Sequence, residues 1–136
     1  MRFLPLIAPL ALVVAACSSV AAPETGSTSI DVTAAYRERI MLPPGHVLTV
    51  KVEDVSLMDA PARVLAETSK PLEGRGPPYA VILSVPNSEI DARHSYAVRA
   101  EIRDPGGALR FTTDTRHSVL TQGASNKADI IMVGVR

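Results

Sequence analysis

Apolar residues recur at every second position in short runs broken by Pro, Gly, Asn and Asp, a pattern that predicts half-buried β-strands rather than helices. Ile30, Val32, Ala34 and Tyr36 share one face, with Asp31, Thr33 and Ala35 on the other. Leu48, Val50 and Val52 lie opposite Thr49, Lys51 and Glu53, and Tyr96, Val98, Ala100 and Ile102 alternate with Arg99, Glu101 and Arg103. A weaker strand is expected from Ala62 to Ser69, with Val64 and Ala66 inward. Tyr79 to Val85, Leu109 to Thr113 and Ile130 to Val135 complete a set of about seven. Turn chemistry separates them: Leu42-Pro43-Pro44-Gly45-His46, the Pro/Gly loop from Pro71 to Pro78, and Asp104-Pro105-Gly106-Gly107, in which Pro fixes φ and Gly permits positive φ. Between Val85 and Tyr96, Ser88-x-x-Asp91 has the form of a capping box that starts a short helical turn. The prediction is an all-β domain over residues 30–136, a single antiparallel β-sandwich, with a small barrel as the second choice.

The first residues follow a different logic. Arg2 is followed by an apolar run from Phe3 to Val14 and then by Ala15-Ala16-Cys17-Ser18, the layout of an export signal with a small-residue cleavage site. A bilayer-spanning helix needs roughly 20 apolar residues, and this run is shorter and interrupted by Pro5 and Pro9. Val14, Ala15 and Ala16 fill the three positions before the cysteine as in a lipobox. The expectation is a lipoprotein signal peptide over 1–16, cleavage between Ala16 and Cys17, and a diacylglyceryl group with further acylation on Cys17. Ser18 in the second mature position favours the outer membrane by resemblance to Gram-negative sorting signals. Residues 17–29 carry the lipid and then a small, polar, Pro/Gly-containing tether without period.

Composition narrows the functions open to such a domain. Lysine plus arginine and aspartate plus glutamate number 14 each, and loss of Arg2 with the signal leaves 13 basic groups against 14 acidic. That near-neutrality provides no footprint for nucleic acid. Cys17 is the single cysteine, so a disulfide within the chain and any cysteine-based zinc or redox site are excluded. With no Trp, two Phe and three Tyr, the core has to be built from aliphatic residues.

Motifs that carry catalysis are missing. His46, His94 and His117 show no ligand spacing, no Gly-x-Ser-x-Gly elbow occurs, and the Gly74-Arg75-Gly76 and Gly106-Gly107 pieces read as turns. No metal, no cofactor beyond the covalent lipid, no small-molecule substrate and no catalytic residue are expected. Two charged groups stand out, Arg37-Glu38-Arg39 and the trio Asp91, Arg93 and His94, as edge protection or as ion pairs that pin strand ends. Two apolar runs break the alternation, and Val81, Ile82, Leu83, Ile130 and Ile131 are the candidate strip for a partner segment; central strands covered by a loop are the alternative.

Four stretches resemble a known family: Tyr36–Gly45 (YRERIMLPPG), Val52–Pro61 (VEDVSLMDAP), Ile90–Ala100 (IDARHSYAVRA) and Phe111–Thr115 (FTTDT). They are similar to the YbaY-like lipoproteins grouped with the YscW-type pilotins of type III secretion, with wording nearer the YbaY-like branch. The resemblance covers about residues 30–135. It implies a β-sandwich lipoprotein and, for the YscW branch, a chaperone that binds a segment of a secretin subunit and carries it to the outer membrane. The expected role is therefore a non-enzymatic binding module, lipid-anchored on the periplasmic side of the outer membrane. An envelope-structural or glycan-associated lipoprotein without a client peptide is the alternative. Cys17→Ser is expected to abolish incorporation of labelled fatty acid; undiminished labelling of that variant would refute the lipid assignment.

Overall fold

The computed structural model describes residues 26–136. The expected signal peptide, the Ala16/Cys17 cleavage site, the lipid attachment at Cys17 and most of the tether lie outside the described residues. Eight strands form: β1 Ser27–Tyr36, β2 Val47–Asp54, β3 Arg63–Pro71, β4 Tyr79–Pro86, β5 Tyr96–Arg103, β6 Leu109–Thr112, β7 His117–Val119 and β8 Lys127–Gly134. They join in the order β3-β2-β5-β6-β8-β1-β4, with β7 on β5 beyond the end of β6. The sheet curls into a nearly closed barrel whose seam lies between β3 and β4. At the seam the Lys70 ammonium donates to the Ala80 carbonyl at 3.1 Å, and Arg63 meets Glu89 at 3.6 Å.

Period-two patterning fills the barrel. Ile30, Val32, Ala34 and Tyr36 of β1, Leu48, Val50 and Val52 of β2, and Val98, Ala100 and Ile102 of β5 are all buried in one cluster. Aromatic rings close one side of it: Tyr36 and Phe111 stack with centroids 4.5 Å apart, within the favoured range for offset pairs. The Tyr36 hydroxyl donates to the Ile40 carbonyl, so its polar end is satisfied. Gly107, at φ +87°, closes the Asp104–Ala108 turn between β5 and β6, as that glycine's freedom requires.

Several local expectations change. Pairing is antiparallel except between β1 and β8, which run parallel from Asp31 beside Lys127 to Tyr36 beside Met132. Ser27–Ser29, expected in the tether, are the first residues of β1 and lie opposite Pro86–Ser84. Val64 is 43% exposed because the register slips opposite Val52 and Glu53, and this bulge turns Leu65 toward the core instead. The turn before β5 is a single 3-10 turn over Asn87–Glu89, with no side-chain cap from Ser88.

β7 was not anticipated, since three residues carry no period. It exists because β6 ends early, and Thr113 covers the gap. The Thr113 hydroxyl accepts from the Ala100 N–H at 2.8 Å and donates to the Ala100 carbonyl at 3.0 Å, replacing a strand neighbour there. Thr113→Val keeps the shape and leaves the Ala100 N–H without a partner, a loss of about 1–3 kcal/mol. Urea unfolding of that variant is expected to show a lower midpoint with an unchanged slope.

Candidate functional site

One mouth of the barrel gathers the features that a binding site needs. β1 and β8 begin there, β5 begins beside the end of β2, and β4 ends there, so the loops 55–62, 87–95 and 120–126 meet although they are distant in sequence. Between the second and third of these loops lies a groove of about 460 Å3. Its size is within the roughly 300–1,000 Å3 of ligand clefts. Ile90, Ala92 and Leu120 supply its apolar surface, and Thr28, Asn87, Thr121, Gln122 and Asn126 supply amides and hydroxyls. No ionisable side chain and no aromatic ring lines it.

The 120–126 loop is held in an uncommon shape. Leu120 and Gln122 have φ of +69° and +59°, a region that costs a side-chain-bearing residue energy and is found where function compensates. Local bonds enforce it. The Leu120 N–H donates to the Asn126 side-chain oxygen at 3.1 Å, the Gln122 amide donates to the Ala92 carbonyl at 3.3 Å, and the Thr121 hydroxyl donates to the His94 carbonyl. Asn126 Nδ2 and Gln122 Oε1 make no hydrogen bond among the described residues, and both belong to groove-lining side chains.

Beside the groove, the trio singled out in sequence gains a fourth member. His94 Nδ1–H donates to Asp54 at 2.7 Å, and its Nε2 is 3.8 Å from Asp91, which in turn pairs with Arg93 at 3.1 Å. Burial pushes the Asp54 carboxyl up, but the Ser56 hydroxyl and amide and the His94 ring outweigh it and hold the group below its ordinary value. Side-chain bonds from Arg93 hold Asp91 down at about 2. The cluster is a fastener. Ser56 donates to Asp54 rather than to His94, so no hydroxyl is paired with an imidazole base. Asp54 was visible in sequence only as a strand-end carboxylate; the β2–β5 pairing that sets it beside Tyr96 brings it to His94.

The predicted strip does not survive as one surface. Val81, Leu83 and Ile130 point into the core, whereas Ile82 and Ile131 point outward at 70% and 41% exposure. Ile82 lies opposite Asp31 and Ile131 opposite Ala35, so the two are separated by β1 and by four residues along it. Strand pleating is the reason: both runs alternate cleanly, and no loop covers their outer faces. Arg37, Glu38 and Arg39 are exposed and make no ion pair among the described residues. His46 is buried and donates from Nδ1 to the Pro43 carbonyl at 2.8 Å, and His117 lies in β7. Among the described residues, no group of three His, Asp or Glu side chains is placed to hold a metal ion, and no helix is long and apolar enough to cross a membrane.

The chain is similar to known proteins in both sequence and structure. The family model of the type III secretion system lipoprotein chaperone (YscW) matches residues 25–132. The uncharacterized lipoprotein YbaY of Escherichia coli (strain K12) is 34% identical over 114 residues, covering 84% of this chain. This alignment spans 59% of that lipoprotein's length. An alternative pilotin from the type II secretion system of Vibrio cholerae has a similar structure, with a TM-score of 0.78 and 40% identity over 82% of this chain and 99% of that one.

A carboxylate whose folded pKa is depressed adds stability that is complete above its unfolded value and disappears as the pH falls to the folded one. For Asp91 that window runs from its ordinary 3.8 down to about 2. The thermal midpoint of Asp91→Asn is therefore expected to fall less steeply than that of the parent chain across this window. Parallel slopes would show that the Arg93 pair contributes nothing.

Proposed function

The chain belongs to the YscW family of lipoprotein chaperones, and from that premise we propose that it is a pilotin-like carrier, anchored by lipid and free of catalytic activity. Cleavage after Ala16 and acylation of Cys17 hold it at the outer membrane on the periplasmic side. The domain then captures a segment of a secretin-type subunit, whose effective concentration at the membrane rises because its carrier is tethered there. The V. cholerae pilotin of similar structure supports the carrier role.

The observation that carries the reading is the uncharged groove at the mouth where β1 begins. Side-chain amides donate and accept in one group, as a peptide bond does, so the open Asn126 donor and Gln122 acceptor suit a client's backbone. The Ile90 and Leu120 side chains suit one aliphatic residue of that client. The groove is well placed for delivery, because the captured segment sits at the end of the barrel nearest the anchor.

Ala92 lines the groove, is exposed and makes no side-chain bond, so it accepts a charge without loss of fold. Ala92→Glu is expected to weaken capture of a secretin segment from the same cell at least tenfold, measured by titration calorimetry, with an unchanged melting temperature. Ile82→Glu serves as the comparison. If Ile82→Glu abolishes capture and Ala92→Glu does not, the client docks on the outer face of β4 instead.

A further inference from the structure

The loop 55–62 is the part of the mouth that neither the core nor the groove uses. Leu57 is 73% and Met58 96% exposed, the two largest exposures among the large apolar side chains of the described residues, and they are adjacent at the loop tip. Ala60, Pro61 and Ala62 after them are exposed as well. An apolar tip of this kind is normally covered by something.

The stem of the loop is firmly rooted. Asp54 accepts from the Ser56 amide at 3.0 Å and from its hydroxyl at 2.6 Å, while the Ser56 oxygen accepts the Ser95 N–H at 2.8 Å. The Val55 N–H donates to the Ser95 carbonyl at 2.9 Å, and His94 holds Asp54 from the other side. Leu57 and Met58 are thus presented on a fixed pedestal.

Position selects the occupant. The loop belongs to the same end of the barrel as Ser27, where β1 begins, and Cys17 lies nine residues before Gly26. At no more than about 3.6 Å per residue, the chain between them reaches at most about 32 Å whatever its conformation. We infer that Leu57 and Met58 dip into the lipid surface to which Cys17 is anchored, as a second contact that fixes the orientation of the barrel mouth. This inference rests on the proposed acylation of Cys17.

Charge argues for insertion rather than electrostatic adhesion. The ionisable groups around this mouth give no cationic excess, with Arg63, Arg93, His94 and Lys127 against Asp54, Asp59, Glu89 and Asp91, and Arg63, Arg93 and His94 are already paired with acids. The wall at β5 offers a poorer lipid contact. On the outer face of β5, Glu101 lies between Arg99 and Arg103 at 3.3 Å from each.

The chain has no tryptophan, so Met58→Trp and Ile82→Trp each introduce a single tryptophan, one on the tip and one on the wall, excited at the red edge where the three tyrosines do not absorb. The chain from Cys17 onward is placed on vesicles of phosphatidylethanolamine with a minor share of phosphatidylglycerol. It is acylated in the cell or, if acylation fails, coupled through the Cys17 thiol to a maleimide phospholipid. Failure of the anchor is thereby distinguished from failure of the loop. Expected is a blue-shifted emission at position 58 and quenching by brominated acyl chains several-fold stronger than at position 82, little changed by salt. Equal quenching at the two positions overturns the inference. So does protection of position 58 that needs an added secretin segment, which would assign the tip to the client.

Discussion

Everything in this domain depends on the pairing of its last strand with its first. β8 lies between β6 and β1, so among the described residues it is the strand whose backbone ladders join the group β3-β2-β5-β6 to the pair β1-β4. Ala128, Ile130 and Met132 on its inner face are buried in the common core, and the residues between them face outward and are exposed. Without β8 both groups would have open edges and half a core each. The pairing is also the most distant in sequence, so of all the ladders it carries the largest entropic cost of loop closure.

That closure also builds the mouth. Because β8 runs parallel to β1, the loop that precedes β8 lies beside the start of β1, with Asp31 N–H bonded to the Asn126 carbonyl at 3.0 Å. An antiparallel arrangement would have sent the 120–126 loop to the far end. The uncharged groove, the root of the 55–62 loop and the point where the tether enters therefore share one end of the molecule. The lipid is the source of location in the proposed function and the groove the source of selectivity, and the fold places one next to the other.

The polar cluster around His94 shows how a domain without disulfides fixes this end. Asp54 ends β2 and Ser56 follows it, His94 and Ser95 precede β5, and Thr121 follows β7; hydrogen bonds among them tie the three loops at this end to one another. None of these bonds is strong alone, and exposed ion pairs contribute little. Together they hold backbone that β-ladders do not reach.

Local patterning carried far by itself. The strands of the all-β fold follow from period-two alternation, because a pleated strand with one wet face demands it, and the turns at Gly45 and Gly107 follow from backbone geometry that only glycine adopts easily. The family was legible in the wording of four stretches. Three things were not legible. The bulge at Leu65 moved Val64 outward, because one extra residue inverts the facing of the strand on one side of it relative to the other. Ile82 and Ile131 were separated by β1, because neighbours in a sheet are chosen by strand order, which no local run encodes. The groove arose from Thr28, Ile90 and Leu120, three residues that only the closing of β8 against β1 brings to one place, since long-range pairing rather than local preference decides which loops meet.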